Sequence, residues 1–198
     1  MPLRSGKRAA MTTTYTDNQV LKILRDRLVA GLASTPFVGP FVPVVLQKQQ
    51  PVQQGIPSGP VIYFEKLMDI RYGWSAIKYD YALITDDFKE QETQLYMMTV
   101  QISAFVTQDP ANLSQPTASD LCNLASAYVQ CRSALRELAA KDIGLLRVTE
   151  VRNPYFTSDE DRQAATPSFD VVLTYARDMP NPRVPRVRSV DGEVIIIK

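Results

Sequence analysis

The stretch TQLYMMTVQISAFV, residues 93–106, decides the fold class because its side chains alternate in character along its whole length. One face of this alternation is the more apolar and carries Tyr96, Met98, Val100, Ile102 and Ala104. The other face is mixed and carries Leu95, Met97, Thr99, Gln101 and Ser103. Alternation of this kind is typical of a β-strand with one buried face. We therefore predict that the apolar face lies in the core and that the mixed face meets solvent or a partner.

Other segments extend this strand into a sheet. Runs of β-branched and aromatic residues predict strands at 61–74 (VIYFEKLMDIRYGW), 145–151 (LLRVTEV) and 168–176 (SFDVVLTYA). The proline-interrupted run FVGPFVPVVLQKQQ, residues 37–50, is typical of an edge strand. The polar segment around DDFKEQE, residues 86–92, is predicted to be a connection, and residues 152–167 a loop.

Two segments have helical periodicity. In TDNQVLKILRDRLVAGL, residues 16–32, Thr16 and Gln19 predict a capping box ahead of the apolar stripe Val20, Leu21, Leu24, Leu28 and Leu32. Residues 116–144 predict one long helix. Thr117 or Ser119 caps its start, and the chain is expected to exit the helix near Gly144. Its predicted stripe is Leu121, Leu124, Tyr128, Leu135 and Leu138.

The order helix, three or four strands, helix, two strands predicts an α+β fold. We expect a two-layer sandwich of a mostly antiparallel sheet with two main helices, plus extended N- and C-terminal arms. The predicted division is a basic N-terminal arm over residues 1–14, an α+β domain over 15–178 and an extended C-terminal arm over 179–198.

Composition excludes several classes of protein. The net charge of +1 over 198 residues gives no overall attraction to nucleic acid or to an anionic membrane. No apolar run is long enough for a membrane-spanning helix, and the basic N-terminus lacks the apolar core of a secretory signal. These features predict a protein that is made in the cytoplasm and has no membrane partner.

The sequence lacks the residues of the common catalytic centres. It has no histidine and no glycine-rich phosphate loop, which excludes Ser-His-Asp triads, histidine-bound zinc and nucleotide sites of that type. The acids at Asp86, Asp87, Glu90 and Glu92, and those at 159–161, are interpreted as solvated loop charges and not as a two-metal nuclease site. Cys122 and Cys131 fall on opposite faces of the predicted long helix, too far apart for a disulfide. We predict no catalytic, metal or cofactor-binding residues.

The C-terminal half carries one further pattern. A helix and a strand are followed by a charged segment with Asp159, Asp161 and Arg162, and then by the final strand FDVVLTY, residues 169–175. This order resembles the neck and tail-terminator proteins of tailed bacteriophages. The segments SGPVIYFEKLMDIRYGW and QLYMMTVQISAFVTQDP are similar to the central hairpin of that family, and ASDLCNLASAYVQCRSAL to the helix after it. The resemblance covers residues 15–178, with RQAATPS and the long basic arm as departures from the family pattern.

This resemblance implies a virion protein that forms a ring, commonly of six copies, where the tail meets the neck. Its implied partners are other copies of itself, the tail tube protein, a neck connector or stopper protein, and genomic DNA that passes through the lumen without sequence-specific binding. Assembly in the host cytoplasm is implied as well. A head-completion or stopper protein is the alternative within this class. Outside it, a small nucleic-acid-binding module lacks the basic face with aromatic residues that it needs, and an enzyme is the third alternative.

The termini and the mixed strand face are the predicted contact surfaces. Asp191 and Gly192 predict a turn before the strand-forming EVIIIK, which adds to the sheet edge of an adjacent subunit or, alternatively, folds back on its own domain. The acidic loop pairs with an arginine of a neighbouring copy or is simply exposed. The predicted inter-subunit contacts are Arg186, Arg188, Val194, Ile195, Ile196, Ile197, Asp159, Asp161, Arg162, Leu95 and Met97. Arg4, Lys7 and Arg8 face DNA or an acidic partner, or belong to a disordered basic terminus.

Overall fold

The protein is built on a five-stranded sheet with helices packed against it. The computed structural model describes residues 14–33, 44–47, 60–82, 87–106, 114–157 and 163–180. The three helices are α1 (Asp17–Ala33), α2 (Ala118–Gln130) and α3 (Arg132–Ala140). The strands are β1 (Val44–Gln47), β2 (Val61–Ala82), β3 (Asp87–Phe105), β4 (Gly144–Val148), β5 (Tyr155–Thr157), β6 (Gln163–Ala165) and β7 (Ser168–Pro180).

The strand order β1-β2-β3-β7-β4 places β3 at the centre of the sheet. The pairs β2–β3, β3–β7 and β7–β4 are antiparallel, and only the short edge strand β1 runs parallel to its neighbour. Strands β5 and β6 form a separate two-stranded sheet. The predicted α+β class is therefore confirmed, and so is the edge strand within residues 37–50.

The core lies between the helices and one face of the sheet. Met98, Val100, Ile102 and Ala104 are buried, which confirms the predicted core face of β3. The α1 stripe is buried as predicted, and strand β7 adds Phe169, Val171, Leu173 and Tyr175. On the opposite face of the sheet the odd-numbered residues of β3 from Gln91 to Phe105 are partly or well exposed, and no described helix packs on them. We call this surface the open face.

Helix starts follow the predicted chemistry. The Thr16 amide donates to Gln19 Oε1 at 2.8 Å and the Gln19 amide donates to Thr16 Oγ1 at 3.4 Å, so the predicted capping box is present. Thr117, one of the two predicted caps, begins α2 through a second capping box with Asp120. Each box satisfies amides that a helix start would otherwise leave unpaired.

The predicted long helix is wrong in one respect, because it is broken at Cys131. This residue has φ −65° and ψ 150°, which is extended backbone, so α2 ends before it and α3 starts a new helical phase after it. Because the phase changes, Leu135 leaves the predicted stripe and is 40% exposed, while Ala134 and Leu138 are buried. The described residues therefore contain three helices, because the predicted second helix is divided into α2 and α3.

Gly144 begins β4 and does not cap the helix. The chain leaves α3 through Lys141 and through Asp142, whose φ is 54°. At Gly144 a Cβ atom would lie 2.3 Å from Thr174 Oγ1, so close packing of β4 against β7 explains the glycine.

The predicted connection at residues 86–92 is also wrong, because β2 and β3 form one long hairpin of 22 and 19 residues. Register shifts between Lys66 and Met68 and between Tyr72 and Ala76 interrupt the alternation on which strand prediction depends. There are two smaller differences from the prediction. The predicted loop 152–167 contains the short strands β5 and β6. Strand β7 extends to Pro180 and so includes the first residues of the predicted C-terminal arm.

Candidate assembly surface

Two of the predicted contact residues, Leu95 and Met97, lie in the described part of the chain. Both are on the open face of β3, as predicted, and Leu95 is 45% exposed while Met97 is partly buried. Leu95 pairs with Tyr72 of β2, and Met97 pairs with Ile70. The remaining predicted contacts fall outside the described residues: Arg4, Lys7, Arg8, Asp159, Asp161, Arg162, Arg186, Arg188, Val194, Ile195, Ile196 and Ile197.

The neighbourhood of Leu95 is unusually apolar for a surface. Among the described side chains of the β2–β3 hairpin, eight large apolar ones are exposed, and we call them the hairpin patch: Leu67, Met68, Ile70, Tyr72, Trp74, Ile77, Tyr79 and Leu95. Elsewhere in the described residues the exposed large hydrophobic side chains are Val29, Leu135 and Leu146, which lie on three different elements. Single exposed apolar residues are normal, but a contiguous apolar patch indicates an interaction site.

The register of the hairpin divides the patch between its two faces. Met68, Ile70 and Tyr72 pair with odd-numbered residues of β3 and so share the open face with Leu95. Ile77 and Tyr79 pair with Glu92 and Glu90. The β3–β7 register is unbroken from residue 91 to residue 103, so even-numbered residues of β3 share one face, which we call the helix-side face. The outer part of the hairpin therefore exposes apolar groups on both faces.

A well-defined bulge separates the two halves of the patch. Gly73 has φ +70°, a conformation that favours glycine, and the Trp74 side chain that follows is 96% exposed. The buried Gln94 side chain holds this turn, because the two N–H groups of its Nε2 are shared among the carbonyl oxygens of Tyr72 at 3.1 Å, Gly73 at 3.3 Å and Leu95 at 3.1 Å. Trp74 is thus presented by a hydrogen-bonded bulge.

The base of the hairpin is tied to the helix layer by ion pairs. Lys66 of β2 bonds both Asp17, at the start of α1, and Asp69. Arg177 of β7 bonds the same Asp17 carboxylate, and the Tyr175 hydroxyl donates to it at 3.2 Å. Asp17 therefore connects α1, β2 and β7 at one point.

Arg177 also packs against aromatic rings. Its guanidinium carbon lies 5.1 Å from the ring centre of Tyr96 and 5.4 Å from that of Tyr175, and its Nε donates to the Tyr15 carbonyl at 3.1 Å. Cation–π contacts of this kind hold a guanidinium in one orientation. Arg177 therefore links β3 and β7 to the residues just before α1.

The titration of this cluster follows from its charges. Burial alone would raise the pKa of Asp17, but the hydrogen bond from Lys66 and the charges of Lys66 and Arg177 outweigh burial and lower it. Burial would lower the pKa of Lys66, but its bonds to Asp17 and Asp69 raise it. Burial raises the pKa of the Tyr175 hydroxyl, so this group stays protonated. The cluster is charged at neutral pH.

A shallow groove lies on the open face beside β4. It measures about 750 Å³ and is lined by charges of both signs, including Arg147, Glu150, Arg152 and Asp170. Arg152 pairs with Asp170 at 2.7 Å, and the Asp170 amide donates to Thr149 Oγ1 at 2.8 Å. Since two cations and two carboxylates line it, the groove offers no concentration of one charge sign to a ligand.

The described residues contain neither a metal-binding cluster nor a spanning helix. Within them, no group of three or more His, Cys, Asp or Glu side chains could hold a metal ion. No helix in the same part of the chain is both long and apolar enough to cross a membrane.

The two cysteines are free and differ in chemistry. Burial raises the pKa of the Cys122 thiol to about 12. Burial acts in the same direction on Cys131, but hydrogen bonds with Ser133, the Ala134 amide and Arg27 lower its pKa to about 7. Arg27 Nη2 lies 3.3 Å from the Cys131 sulfur. Cys131 is the reactive thiol of the two because thiolate is the nucleophile.

We expect iodoacetamide to alkylate Cys131 selectively, with a rate that rises through about pH 7, while Cys122 reacts only on unfolding. Both cysteines lie on one tryptic peptide, residues 90–132, so tandem mass spectrometry of that peptide over a pH series locates the label and measures both rates. Arg27→Gln removes the nearby charge and is expected to move the Cys131 midpoint to higher pH. Equal labelling of the two thiols in the folded protein would contradict the assignment.

Comparison with known proteins gives one match to a family model over most of the chain. The family model described as E217 gateway protein gp29 matches residues 19–183, a range that includes every strand of the described sheet. No curated protein matches the chain.

One solved structure gives a partial structural match. It is the cryo-EM structure of the sheath/tube terminator of an extracellular contractile injection system, PVC, in its extended state. The identity is 12% and the TM-score 0.46, over 94% of this chain and 65% of that chain. This chain thus spans a little under two thirds of the length of that terminator.

Proposed function

Since this chain belongs to the family of the phage E217 gateway protein gp29 and has a structural role in a phage tail or neck, we propose that it forms a ring at the junction between the two. The ring ends the tail tube and joins it to the connector on the head side. The resemblance in the final strand and the family match, which rest on overlapping residues, support this proposal. As a virion component the chain acts through its surfaces.

The hairpin patch is the observation that carries the proposal. A protein that works alone rarely exposes a contiguous apolar surface of more than a few hundred Å². The eight patch residues are 45–96% exposed, which corresponds to roughly 900 Å² divided between the two faces of the hairpin, so each face offers about half of the ~800 Å² that each partner contributes to a standard protein interface. A surface of this size is expected to be covered in the assembled particle.

We further propose the components of that assembly. The ring has six copies, is assembled in the host cytoplasm, contacts the tail tube protein and a connector or stopper protein, and lets DNA pass without sequence-specific contacts. The basic segment 1–14 and the segment after β7 act as arms around the domain. The last strand-forming residues, 194–197, add to the sheet edge of an adjacent subunit, with Arg186 and Arg188 beside them. The acidic loop with Asp159, Asp161 and Arg162 contributes to the same neighbouring contact.

A phage that carries a stop codon early in this gene tests the role. We expect separate heads and tails to accumulate, and the full-length chain supplied in trans to restore joined particles, because the junction cannot close without the ring. Electron microscopy of lysates gives the ratio of joined to separate particles. Joined particles at the normal level without the chain would overturn the proposed role.

Truncation after Pro180 tests the C-terminal arm separately. The truncated chain keeps all described elements, so it is expected to fold but to complement poorly in the same assay. Full complementation by the truncated chain would show that residues 181–198 are not needed for joining and would restrict the contact surface to the domain.

A further inference from the structure

We propose that the outer parts of the β2–β3 hairpins of neighbouring copies stack on one another, with the open face of one hairpin against the helix-side face of the next. This inference rests on the proposed ring and identifies the partner of the hairpin patch as a second copy of the chain. It assigns Met68, Ile70, Tyr72 and Leu95 to one side of each contact, and Ile77 and Tyr79 to the other.

The distribution of apolar groups requires two contacts for each hairpin. Ile70 and Tyr72 are 47% and 57% exposed on the open face, and Ile77 and Tyr79 are 52% and 61% exposed on the helix-side face. Packing against a single surface would cover only one of these faces. A hairpin that lies between two others covers both faces, and Trp74 at the bulge lies between the two sets.

A stack of unlike faces agrees with ring symmetry. A closed ring needs a heterologous interface, in which one patch of each copy meets a different patch of the next. The two faces of the hairpin are such a pair, and both are on the same element. Pairing of like faces would give a two-fold dimer and leave the second face of each hairpin exposed.

The charges at the outer end of the hairpin match this arrangement. Lys78 pairs with Gln91 and so lies on the open face, whereas Glu90 and Glu92 lie on the helix-side face. When unlike faces meet, a cation of one copy approaches carboxylates of the next. When like faces meet, Glu90 and Glu92 of the two copies approach one another, which is repulsive.

The anchor at Asp17 lets the hairpin act as a fixed contact element. Lys66 and Asp69 at the first bulge are bonded to each other, and Lys66 is bonded to α1 through Asp17. Beyond this point β3 remains paired with β7 as far as Gln91 and Pro180. Most of the patch is therefore carried on a three-stranded support, so little conformational entropy is lost when copies pack.

Thiol cross-linking of the purified full-length chain tests which faces of neighbouring hairpins are in contact. In a Cys131→Ser background we combine Ile70→Cys on the open face with Ile77→Cys on the helix-side face, and treat the protein with a short bis-maleimide. The two thiols of one chain lie about 20 Å apart along β2 and on opposite faces, so the reagent links them only between copies. The expected product is a ladder of multimers on a denaturing gel, whereas each single variant stays monomeric.

A second measurement uses polar substitutions in the native cysteine background. Tyr72→Ser, Trp74→Ser and Ile77→Ser combined are expected to weaken self-association about 100-fold, as expected for loss of buried aromatic anchors. Val29→Ser with Leu135→Ser is the matched control, since it removes apolar residues of helices that are 39% and 40% exposed, and is expected to leave association within about threefold, as for residues outside an interface. Sedimentation velocity over a concentration series measures association, and far-UV circular dichroism checks the fold.

The outcomes separate this inference from the proposed role. Dimers from either single cysteine variant would show like faces in contact and overturn the stacking. A wild-type chain that stays monomeric together with a double-cysteine variant that gives no ladder would overturn it as well, and so would a triple variant that associates like wild type. Any of these results together with normal dependence of head–tail joining on the chain would leave the ring role intact, and a monomeric wild-type chain would assign the hairpin patch to another virion protein.

Discussion

Replacing Phe169 with alanine is expected to lower the free energy of unfolding by about 3–5 kcal/mol, the usual cost of removing a buried phenylalanine from a packed core. Phe169 is fully buried on β7, pairs with Ile102 of the central strand, and belongs to the core between sheet and helices. Since small domains are stable by only about 5–15 kcal/mol, this single change removes a large share of the total. Urea unfolding followed by far-UV circular dichroism measures the difference.

Val172→Ala is the matched control for Phe169→Ala. Val172 is on the same strand but on the open face, where it lines the shallow groove and is only partly buried. We expect it to cost about 1 kcal/mol or less, since little area is removed from a packed environment. Both variants are compared with wild type at one protein concentration, because self-association adds to apparent stability. Equal costs at the two positions would contradict the assignment of the faces of β7.

Asp17→Asn is expected to lower the free energy of unfolding by about 1–2 kcal/mol at neutral pH, because the carboxylate accepts hydrogen bonds from two cations and a hydroxyl. The side chains of Asp17, Lys66 and Arg177 remain 34%, 27% and 30% exposed, so solvent screening reduces the gain below that of a buried pair. The substitution keeps the shape of the side chain and removes only its charge. Thermal and urea unfolding at pH 7 measure the loss.

The effect of Asp17→Asn depends on pH in a defined direction. The folded-state pKa of Asp17 is lowered below its usual 3.8, so its contribution is present above that pH and is lost as the pH falls through the folded pKa. Lys66 has a raised pKa, so its contribution is present below 10.5 and is lost as the pH rises through the folded value. Wild type and variant should therefore differ at pH 7 and converge in acid.

Asp26→Asn is the control for this charge effect. Asp26 lies on the same helix but is 57% exposed on its side chain and faces only Arg25, 3.7 Å away. An exposed pair of this kind contributes about 0–1 kcal/mol. If the two aspartates gave the same loss, or if the Asp17→Asn difference persisted unchanged at low pH, the ion-pair network would not be the source of the stability.

The fold was largely predictable because its signals are local. Alternation in β3 and β7, the α1 stripe and the capping residues Thr16 and Thr117 each depend on a few neighbouring residues, and the structure has all of them. The break at Cys131 has no such signal. An extended residue between two helices leaves the composition helical, and the contacts of Arg27 with Cys131 and Ser133 join residues more than 100 positions apart.

The candidate surface was predictable only in part. The mixed face of β3 indicated Leu95 and Met97 as contact residues, and Leu95 belongs to the hairpin patch. The seven β2 members were not identified, because two bulges disturb the period of that strand and because apolar residues in a strand ordinarily indicate a core. Their exposure follows from the length of the hairpin, which extends past the helices and depends on tertiary structure.

Trp74 is the only tryptophan of the chain and its side chain is almost completely exposed. Its fluorescence therefore reports on one location, the bulge of the hairpin, without any added dye. Emission of the isolated chain should lie at long wavelength and be readily quenched by iodide, and it should shift to shorter wavelength when another molecule covers the bulge. The emission of Trp74 therefore reports when the hairpin becomes buried against another molecule.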